Sequence, residues 1–544
     1  MTNKPRILSA STPAGRRHKT DVKNLPDRRD LELAWARAKL DRPERCFITY
    51  PYLLSWIETD LNSWLNRLQT RIGQGYSPSA CQICYAPKPN WMVRPGGVIE
   101  IADEVVFNAI VGRYHTEIWN TIGWSQGDPD VANQFQRESV GPRWIHSDFR
   151  VWNEWREKSL DKLKNDVQFV VFADIAAFYE NIDLQRLRSD LLSAGPATEA
   201  VDLLNTLLAR WAHPRGKGIP HGYSASDILA KIYMTPVDCA LQNAGFRHLR
   251  YVDDIRIFCR DSLEAQRALL KLNDLLRNRG LNLQSAKTEI VRIDQARRRI
   301  DGIAPVIENL NEQLKKELRS LYASTGGYGR LSDIDNVLAA HPDAPPPEVL
   351  ERAFRDNFSV TADQEFDKTL LHYLLTRLGR TKSRIAVPFC LSLLTHRPDE
   401  TEAALRYFSD VDLSKVRTRS LLDYAGSSDA IYDYQLYQIV RWFWEQKLFP
   451  EKLLDLCRRW AFDRNRDPWL RSYCIAILGK SGDDSDLEMI ESQYTGIPTE
   501  AEKAECVMVL VRLERGRRNA FYGRIKGDGK LVAFAIQFVK QAPI

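Results

Sequence analysis

Runs of apolar residues, and the period at which they recur, divide the chain into two different halves. In the first half, the apolar run Phe169–Ala173 predicts a buried strand that ends at Asp174. Two further runs, His248–Arg250 and Ile255–Phe258, predict strands on either side of a tight acidic turn, Tyr251–Asp254. The pattern therefore places acidic residues where two separate strands end.

Helical periodicity alternates with these strands. Apolar spacing after Ser226 predicts a helix, and the glycines and proline of 218–222 predict a loop before it. The segment Leu263–Leu276 predicts an amphipathic helix, and Gly280–Ile290 predicts a turn that leads into a strand.

From about residue 348 onward, nearly every segment has helical periodicity, and a Pro-rich stretch at 341–347 marks the boundary. The clearest helix is Asp467–Asp483, with Pro near its start and Gly near its end; it resembles one helix of a HEAT-type repeat. Its partner would be Asp486–Tyr494. The other predicted helices include Phe366–Leu378, Ile385–Leu394, Ala430–Phe443 and Lys452–Trp460. Because no strict period is found, an irregular α-repeat array and a plain helical bundle are both open.

Length and charge add two expectations. A chain of 544 residues predicts two or three domains. The net charge is a modest +6, from 77 basic and 71 acidic residues, but basic residues are concentrated in three places. These are the first thirty residues, Arg297–Arg299, and 512–526. Each cluster could contact phosphates or form a solvated face.

The nine cysteines do not form a disulfide framework in a chain of this length, which fits a reducing compartment. Cys81 and Cys84 form a C-x-x-C pair without a second pair or a histidine at ligand spacing, so zinc is not favoured. No signal peptide and no apolar run of about 18 residues is found. We therefore expect a soluble, cytoplasmic protein with no membrane partner.

Asp174, Asp253 and Asp254 are candidates for a metal site. Singly, each is more typical of a helix cap or an acidic turn. Together they could supply hard oxygen ligands to two Mg²⁺ ions about 3.5–4 Å apart, which activate a 3′-hydroxyl and neutralise a triphosphate. Gly222 would let backbone approach a base pair or sugar closely. Lys287 could face the triphosphate, or be an ordinary surface lysine.

Four segments resemble motifs A to D of reverse transcriptases, both in their order along the chain and in their spacing. They are, in chain order, Phe169–Ile182, Gly218–Met234, Tyr251–Asp254 and Gly280–Ile290. Upstream, the sequence resembles the fingers segment of group II intron and retron-type enzymes, at Tyr85–Lys88, Arg94–Pro95 and Ile99–Val106. The resemblance covers roughly residues 45–305, a little under half of the chain.

The resemblance implies roles for individual residues. Asp174, Asp253 and Asp254, with the carbonyl oxygen of Ile175, would hold two Mg²⁺ ions, with Mn²⁺ as a substitute. Tyr179 falls at the family's steric gate, where a bulky ring collides with a ribose 2′-hydroxyl and so selects dNTPs. Further nucleotide contacts are implied for Phe178, Lys88, Arg94, Gly222, Ser226 and Lys287, and nucleic-acid contacts for Arg297, Arg298 and Arg299.

Two positions depart from the family pattern. Motif B usually reads Gly-x-Pro-Gln-Gly, and here the glutamine is His221. The residue before Ile232 is commonly Asn in intron-encoded enzymes and is Lys231 here. The altered motif B calls ordinary template handling into question, whereas the aspartates are unaffected. No maturase, zinc-containing endonuclease, integrase or RNase H segment is recognised.

A reverse transcriptase followed by an α-repeat domain resembles the bacterial defence-associated class, the unknown-group and abortive-infection (AbiK-like) enzymes. The resemblance implies anti-phage defence, and DNA synthesis either without a template from a protein hydroxyl or on a non-coding RNA. It also implies homo-oligomers formed through the helical domain. A HEPN-type ribonuclease is not expected, because His341, His372 and His396 lack the preceding arginine of that motif.

The predicted fold class is α+β: the fingers and palm of a right-hand polymerase, followed by an all-α, HEAT-like repeat domain. The predicted divisions are a basic arm and first helix (1–44), fingers and palm (45–305), a thumb-like segment with a Pro-rich connection (306–347) and helical repeats (348–544).

Three functions are open. The first is a DNA-making nucleotidyltransferase in phage defence, and the second is a templated reverse transcriptase of a mobile element. The third is a non-enzymatic helical scaffold with a relic palm. An intact set of motif residues favours an enzyme over a relic, namely Asp174, Tyr179, Asp253, Asp254 and Lys287.

Overall fold

The computed structural model describes residues 22–138, 141–146, 149–164, 166–212, 216–301, 347–358, 366–412 and 415–541. Residues 1–21 of the basic arm expected in the first thirty residues, and nearly all of the thumb-like segment expected at 306–347, lie outside these residues. The motif residues that the sequence singles out all lie within them.

The described strands are β1 (Gln82–Pro87), β2 (Val93–Val98), β3 (Gln134–Phe135), β4 (Ile145–His146), β5 (Phe169–Asp174), β6 (Arg247–Tyr251), β7 (Asp254–Cys259) and β8 (Glu289–Arg292). The last four form an antiparallel sheet in the order β6-β7-β5-β8, and the others form two separate hairpins. Successive side chains of β5 alternate between two apolar cores, with Val171 in one and Val170 in the other. This two-sided burial explains the unbroken apolar run before Asp174.

The helices of the first half are α1 (Arg28–Glu44), α2 (Leu53–Glu58), α3 (Leu61–Gly73), α4 (Ile101–Arg113), α5 (His115–Ile122), α6 (Phe149–Lys162), α7 (Phe178–Asn181), α8 (Leu184–Ala194), α9 (Thr198–Trp211), α10 (Ser224–Asn243), α11 (Ser262–Asn278) and α12 (Ile293–Asp301). Helix α11 covers one face of the sheet, and α6 and α12 cover the other. Helix α1 packs on α4 in the main core, so the first helix belongs to the folded body of this half. The strand and helix predictions around the four motifs are confirmed.

The helices of the second half are α13 (Pro347–Asn357), α14 (Lys368–Arg380), α15 (Val387–His396), α16 (Thr401–Asp410), α17 (Lys415–Ala425), α18 (Asp433–Gln446), α19 (Glu451–Trp460), α20 (Pro468–Ser481), α21 (Asp484–Gln493), α22 (Glu500–Val509), α23 (Arg515–Ile525) and α24 (Lys530–Gln541). Each helix predicted for this half is found, with its ends displaced by at most three residues. We call residues 347–541 the helical array.

Alternate helices lie side by side in this array: α14, α16, α18, α20, α22 and α24 each contact the next member of the series. Side chains that link neighbouring units are separated by similar distances along the chain. Ser383 bonds Glu351 across 32 positions, His372 contacts Glu400 across 28, and Arg471 pairs with Glu502 across 31. This layered packing is that of an α-repeat array rather than a plain bundle.

The array packs back onto the first half. Helix α24 contacts α2, and α18 contacts β1. The Thr49 amide donates a hydrogen bond to the Tyr437 hydroxyl at 2.9 Å, and the hydroxyls of Thr49 and Tyr473 are 3.1 Å apart. One continuous apolar core therefore includes residues from both halves.

All nine cysteines are free thiols. Burial raises the pKa of Cys81 to about 11 and that of Cys84 to about 12, so both remain protonated at neutral pH. None of the helices in the described part of the chain combines the length and apolar character needed to cross a bilayer.

Candidate active site

Three carboxylates meet at one end of the central sheet. Asp174 is the last residue of β5, and its register partner is Asp254, the first residue of β7. Asp253 lies in the two-residue turn between β6 and β7, and its carbonyl oxygen accepts a hydrogen bond from the Ile175 amide at 3.1 Å. The structure thus brings together the three aspartates that the sequence singles out.

These carboxylates carry concentrated negative charge. Burial raises the pKa of Asp253, and the charge of Asp174 adds a smaller rise. Burial and the charges of Asp253 and Asp174 raise the pKa of Asp254 to about 6. Lys287 Nζ lies 2.8 Å from Asp174 Oδ2, and this contact raises the pKa of the Lys287 ammonium. One ammonium offsets only part of the charge of three carboxylates, so the site favours additional positive charge.

The donor chemistry of the site suits a hard divalent cation, because Mg²⁺ prefers carboxylate oxygens. Within the described residues, however, no three acidic, histidine or cysteine side chains already form a coordination shell. Asp174 is instead held by Lys287. Asp174, Asp253 and Asp254 are the side chains that could hold such a cation, which would supply the positive charge that the site favours.

The turn that carries Asp253 has an unusual backbone. Val252 has a φ of 58°, in the left-handed region that β-branched residues rarely adopt. Arg250 Nη1 donates a hydrogen bond to the Val252 carbonyl oxygen at 3.2 Å, which braces the turn from below. Backbone strain of this kind persists only where the surrounding structure enforces it.

Arg250 belongs to a buried ionic network beneath the turn. Its Nη2 lies 2.7 Å from Asp238 and 2.8 Å from Asp130, and Lys231 Nζ lies 2.7 Å from Asp130. Burial alone would lower the pKa of Arg250, but the two carboxylates hold it above its ordinary value. Asp238, buried but facing Arg250 and His248, has a pKa of about 2. Lys231, which departs from the family's usual Asn, is therefore a structural cation here.

Replacing Arg250 by Met is expected to destabilise the fold strongly. Asp130 and Asp238 would lose their shared buried partner, and breaking a buried pair in this way costs about 3–5 kcal/mol. Chemical denaturation should show this loss in the free energy of unfolding. Arg247→Met is the matched control on β6, because its pair with Asp166 is exposed and such pairs contribute little. Equal, small effects in both variants would contradict the bracing role.

The fingers hairpin β1–β2 brings positive charge toward the carboxylates. Burial and the charge of Arg94 lower the pKa of Lys88, whereas Glu180 and Asp253 act in the opposite direction. The charge of Arg94 also acts against the rise in the pKa of Asp253 that burial causes. Lys88 and Arg94 thus act electrostatically on the carboxylate site, as the predicted phosphate-binding pair would.

Tyr179 lies at the start of α7, beside the loop that precedes α10. Its hydroxyl donates a hydrogen bond to Asp227, which is paired with Arg45. Its ring stacks on the His221 ring, with centroids 4.6 Å apart and planes 24° apart. Burial, and then the charges of Arg94 and other nearby cations, lowers the pKa of His221 to about 4, so its ring is neutral.

Three further residues that the sequence predicts as nucleotide contacts are closely packed in the structure. Phe178 is 3% exposed and packs in the main core, where its ring meets that of Tyr179 edge-on. Ser226 is fully buried in α10. Gly222 has a φ of 98°, and a Cβ there would lie 3.1 Å from the Arg45 carbonyl oxygen and the Phe47 ring, so glycine serves close packing.

The three arginines of α12 are exposed, but they are not equivalent. Arg299 pairs with Glu289 and lies over the Phe172 ring, 4.3 Å from its centroid. Arg297 and Arg298 project from the exposed face of the helix and remain candidates for nucleic-acid contact.

Some of these residues could have been found in the sequence. A histidine and an arginine within the strand before an acidic turn, His248 and Arg250, are a signal of buried ion pairing. The partners Asp130 and Asp238 are distant in sequence, and nothing near them indicates this role. Arg45 and Phe47 precede the recognised motifs entirely.

Substitution of His221 by Gln is expected to make the free energy of unfolding less sensitive to a fall in pH. Because the folded pKa of His221 is about 4 and the unfolded value about 6.5, the unfolded chain binds more protons between these values. Stability is therefore lost as pH falls through this window. Between pH 7 and pH 5 this loss is about 2 kcal/mol, and it should be missing from His221→Gln. Denaturation curves at both pH values measure this loss. An identical loss in the wild-type protein and in His221→Gln would refute its assignment to the protonation of His221.

Residues 124–320 match the family model of reverse transcriptase (RNA-dependent DNA polymerase). The match includes all three aspartates, Tyr179 and Lys287, and it begins after the fingers hairpin. The chain therefore contains a reverse transcriptase domain, and it is an enzyme of the nucleotidyltransferase class. The predicted fold class, a reverse transcriptase fold followed by a helical domain, is confirmed, whereas no comparison bears on a bacterial defence class.

Among curated proteins, none matches the sequence significantly. Among solved structures, a truncated apo telomerase from Candida tropicalis has 14% identity and a TM-score of 0.29, with 43% of this chain and 55% of that chain covered. The Candida albicans telomerase in complex with a fragment of telomeric RNA has 12% identity and a TM-score of 0.32, with 73% and 71% covered. A second apo telomerase from Candida tropicalis has 10% identity and a TM-score of 0.30, with 76% and 74% covered. These likenesses carry no conclusion about the activity of this chain.

Proposed function

We propose that this chain is a DNA polymerase of the reverse transcriptase type, which adds dNTPs to a 3′-hydroxyl or, at initiation, to a protein hydroxyl. The observation that carries the proposal is the pairing of Asp174 with Asp254 across β5 and β7, with Asp253 in the adjoining turn. This is the acidic arrangement that nucleotidyl transfer requires, and it lies inside the reverse transcriptase match.

Asp174, Asp253 and Asp254 would hold two Mg²⁺ ions, or Mn²⁺ in their place, and the Ile175 carbonyl is a further candidate ligand. When bound, such ions activate the attacking hydroxyl and neutralise the triphosphate and the leaving pyrophosphate.

The remaining residues bind and orient the nucleotide. Lys88 and Arg94 would meet the triphosphate from the fingers side, because their charge already acts on the carboxylate site. Lys287, which is well exposed, would exchange its contact with Asp174 for a phosphate oxygen. Tyr179 would exclude a 2′-hydroxyl from the sugar position. Catalysis would consist of positioning and charge neutralisation.

The source of template and primer can be tested on purified protein with labelled dNTPs, Mg²⁺ and no added nucleic acid. Label that stays with the protein until protease treatment, and that survives prior RNase treatment, supports protein-primed synthesis without a template. Label that requires copurified or added RNA supports a templated reverse transcriptase, including one that copies a dedicated non-coding RNA. Absence of label both without added nucleic acid and with added RNA would contradict polymerase activity.

We further propose that the DNA product serves antiviral defence in a bacterial cytoplasm, with the chain forming homo-oligomers through the helical array. The support is the combination of a reverse transcriptase domain with an α-repeat array, which resembles the abortive-infection enzymes. Plating a panel of phages on cells that express the wild-type chain or Asp253→Asn tests the role. Equal plating on both strains for every phage would count against defence, and a single-subunit mass in solution would count against the oligomer.

A further inference from the structure

A line of four aromatic rings connects the helical array to Tyr179. The ring of Tyr434, in the first turn of α18, lies 6.1 Å from that of Phe47 at an interplanar angle of 63°. Phe47 meets His221 edge-on at 5.4 Å, and His221 stacks on Tyr179 at 4.6 Å. Tyr434 is thus two rings away from the residue that would exclude a ribose hydroxyl.

Phe47 is the point at which three parts of the molecule meet. A Cβ on Gly96 of β2 would lie 2.6 Å from the Phe47 ring, and one on Gly222 would lie 3.1 Å from it. The fingers hairpin and the loop before α10 therefore both bring bare backbone against this ring. Tyr434 packs against the same ring from the array, so Phe47 is confined on several sides.

The array holds this region at other points as well. The Tyr432 hydroxyl donates a hydrogen bond to the Trp91 carbonyl oxygen at 3.1 Å, at the tip of the fingers hairpin. Two residues beyond Phe47, Thr49 is bonded to Tyr437 of the same helix α18. The contact between Tyr434 and Phe47 therefore sits within a larger, ordered junction and does not depend on one exposed pair.

The Tyr179 ring is fixed in two different ways. Its hydroxyl is tied to Asp227, whose other partner is Arg45, and its face rests on the neutral His221 ring. The hydroxyl tie lets the ring pivot about its oxygen, whereas the stacked face limits that movement. A ring that excludes a 2′-hydroxyl must not retreat when the hydroxyl presses on it, so His221 and its backing are expected to influence sugar selection.

We propose that Tyr434 is a positioning residue for sugar selection: through Phe47 and His221, the helical array backs the Tyr179 ring and so strengthens the preference for dNTPs over rNTPs. This inference rests on the proposed polymerase function and on the role of Tyr179 in it. It gives the array a part in the chemistry of the polymerase site, in addition to any part in assembly.

The test compares kcat/KM for dNTPs and rNTPs in the purified full chain. Tyr434→Ala should reduce the dNTP-to-rNTP ratio by about threefold to tenfold, the equivalent of one aromatic contact, and mainly by improving rNTP use. Tyr434→Phe keeps the ring and should restore the wild-type ratio. Tyr373→Ala is the matched control, because it removes a half-buried tyrosine of the array whose ring is covered by Arg377 rather than Phe47. An unchanged ratio in Tyr434→Ala would overturn the proposal.

Two further variants make the outcome specific. Phe47→Leu interrupts the same line from the polymerase side and should lower the ratio even if Tyr434→Ala fails to fold. In a Tyr179→Ala background, Tyr434→Ala should change the ratio no further, because the two residues act through one ring. If selectivity is lost in Tyr179→Ala but retained in Tyr434→Ala and Phe47→Leu, the role of the array is overturned and that of Tyr179 stands. Selectivity retained in all three overturns the assignment of Tyr179 as well.

Discussion

Asp253→Asn is expected to lower nucleotide addition by about a thousandfold or more while leaving the fold intact. The change removes one negative charge from the turn between β6 and β7 and keeps the size of the side chain. The backbone contact between Ile175 and residue 253 uses the main chain, so it survives the substitution. Burial and Asp174 already raise the pKa of the Asp253 carboxyl, and a neutral amide relieves that unfavourable charge. Activity should therefore fall without a fall in melting temperature.

The control for this variant is Asp261→Asn. Asp261 caps α11 through its side chain, outside the carboxylate site, and asparagine caps helices comparably well. Primer extension and thermal unfolding should be measured on both proteins. Retained synthesis in Asp253→Asn would remove Asp253 from the catalytic set, whereas loss of both activity and folding would show that its role is structural.

Tyr179→Ala is expected to admit rNTPs, with a fall of about a hundredfold in the dNTP-to-rNTP ratio of kcat/KM. The physical reason is steric: the ring would occupy the space of a 2′-hydroxyl, and alanine leaves that space open. Tyr179→Phe keeps the ring but loses the hydrogen bond to Asp227. It should therefore keep most of the selectivity.

The two variants separate bulk from hydrogen bonding. Equal loss of selectivity in Tyr179→Ala and Tyr179→Phe would mean that the bond to Asp227 selects the sugar. Unchanged selectivity in both would mean that another side chain excludes the 2′-hydroxyl. Incorporation of a dNTP and the matching rNTP at single positions measures both outcomes.

The sequence predicted the central sheet well because its signals are local. The apolar run before Asp174 and the acidic turn between two short strands each specify their own backbone. The helical array was likewise recognisable from periodicity, since each helix buries one face. Its layered order was not evident, because the contacts between its units depend on packing between segments about thirty residues apart rather than on a strict repeat.

The surroundings of the site were less predictable from the sequence. Arg250 braces the turn through partners more than ten and more than a hundred positions away, Asp238 and Asp130. Ser226 and Phe178 carry motif positions but face the core, because a helix and a tight turn present only some residues to the surface. The contact of Tyr434 with Phe47 joins two segments that no local pattern relates.

Metal-dependent DNA polymerase activity is tested most directly by the addition of labelled dNTPs by the purified full chain. Two reactions are needed, one with a primed RNA template and one without added nucleic acid. Each reaction should be run with Mg²⁺ and again with excess chelator. We expect addition in at least one of the two reactions with Mg²⁺, and none with chelator. No addition in either arrangement, or addition that chelator leaves unchanged, would contradict a metal-dependent polymerase built on Asp174, Asp253 and Asp254.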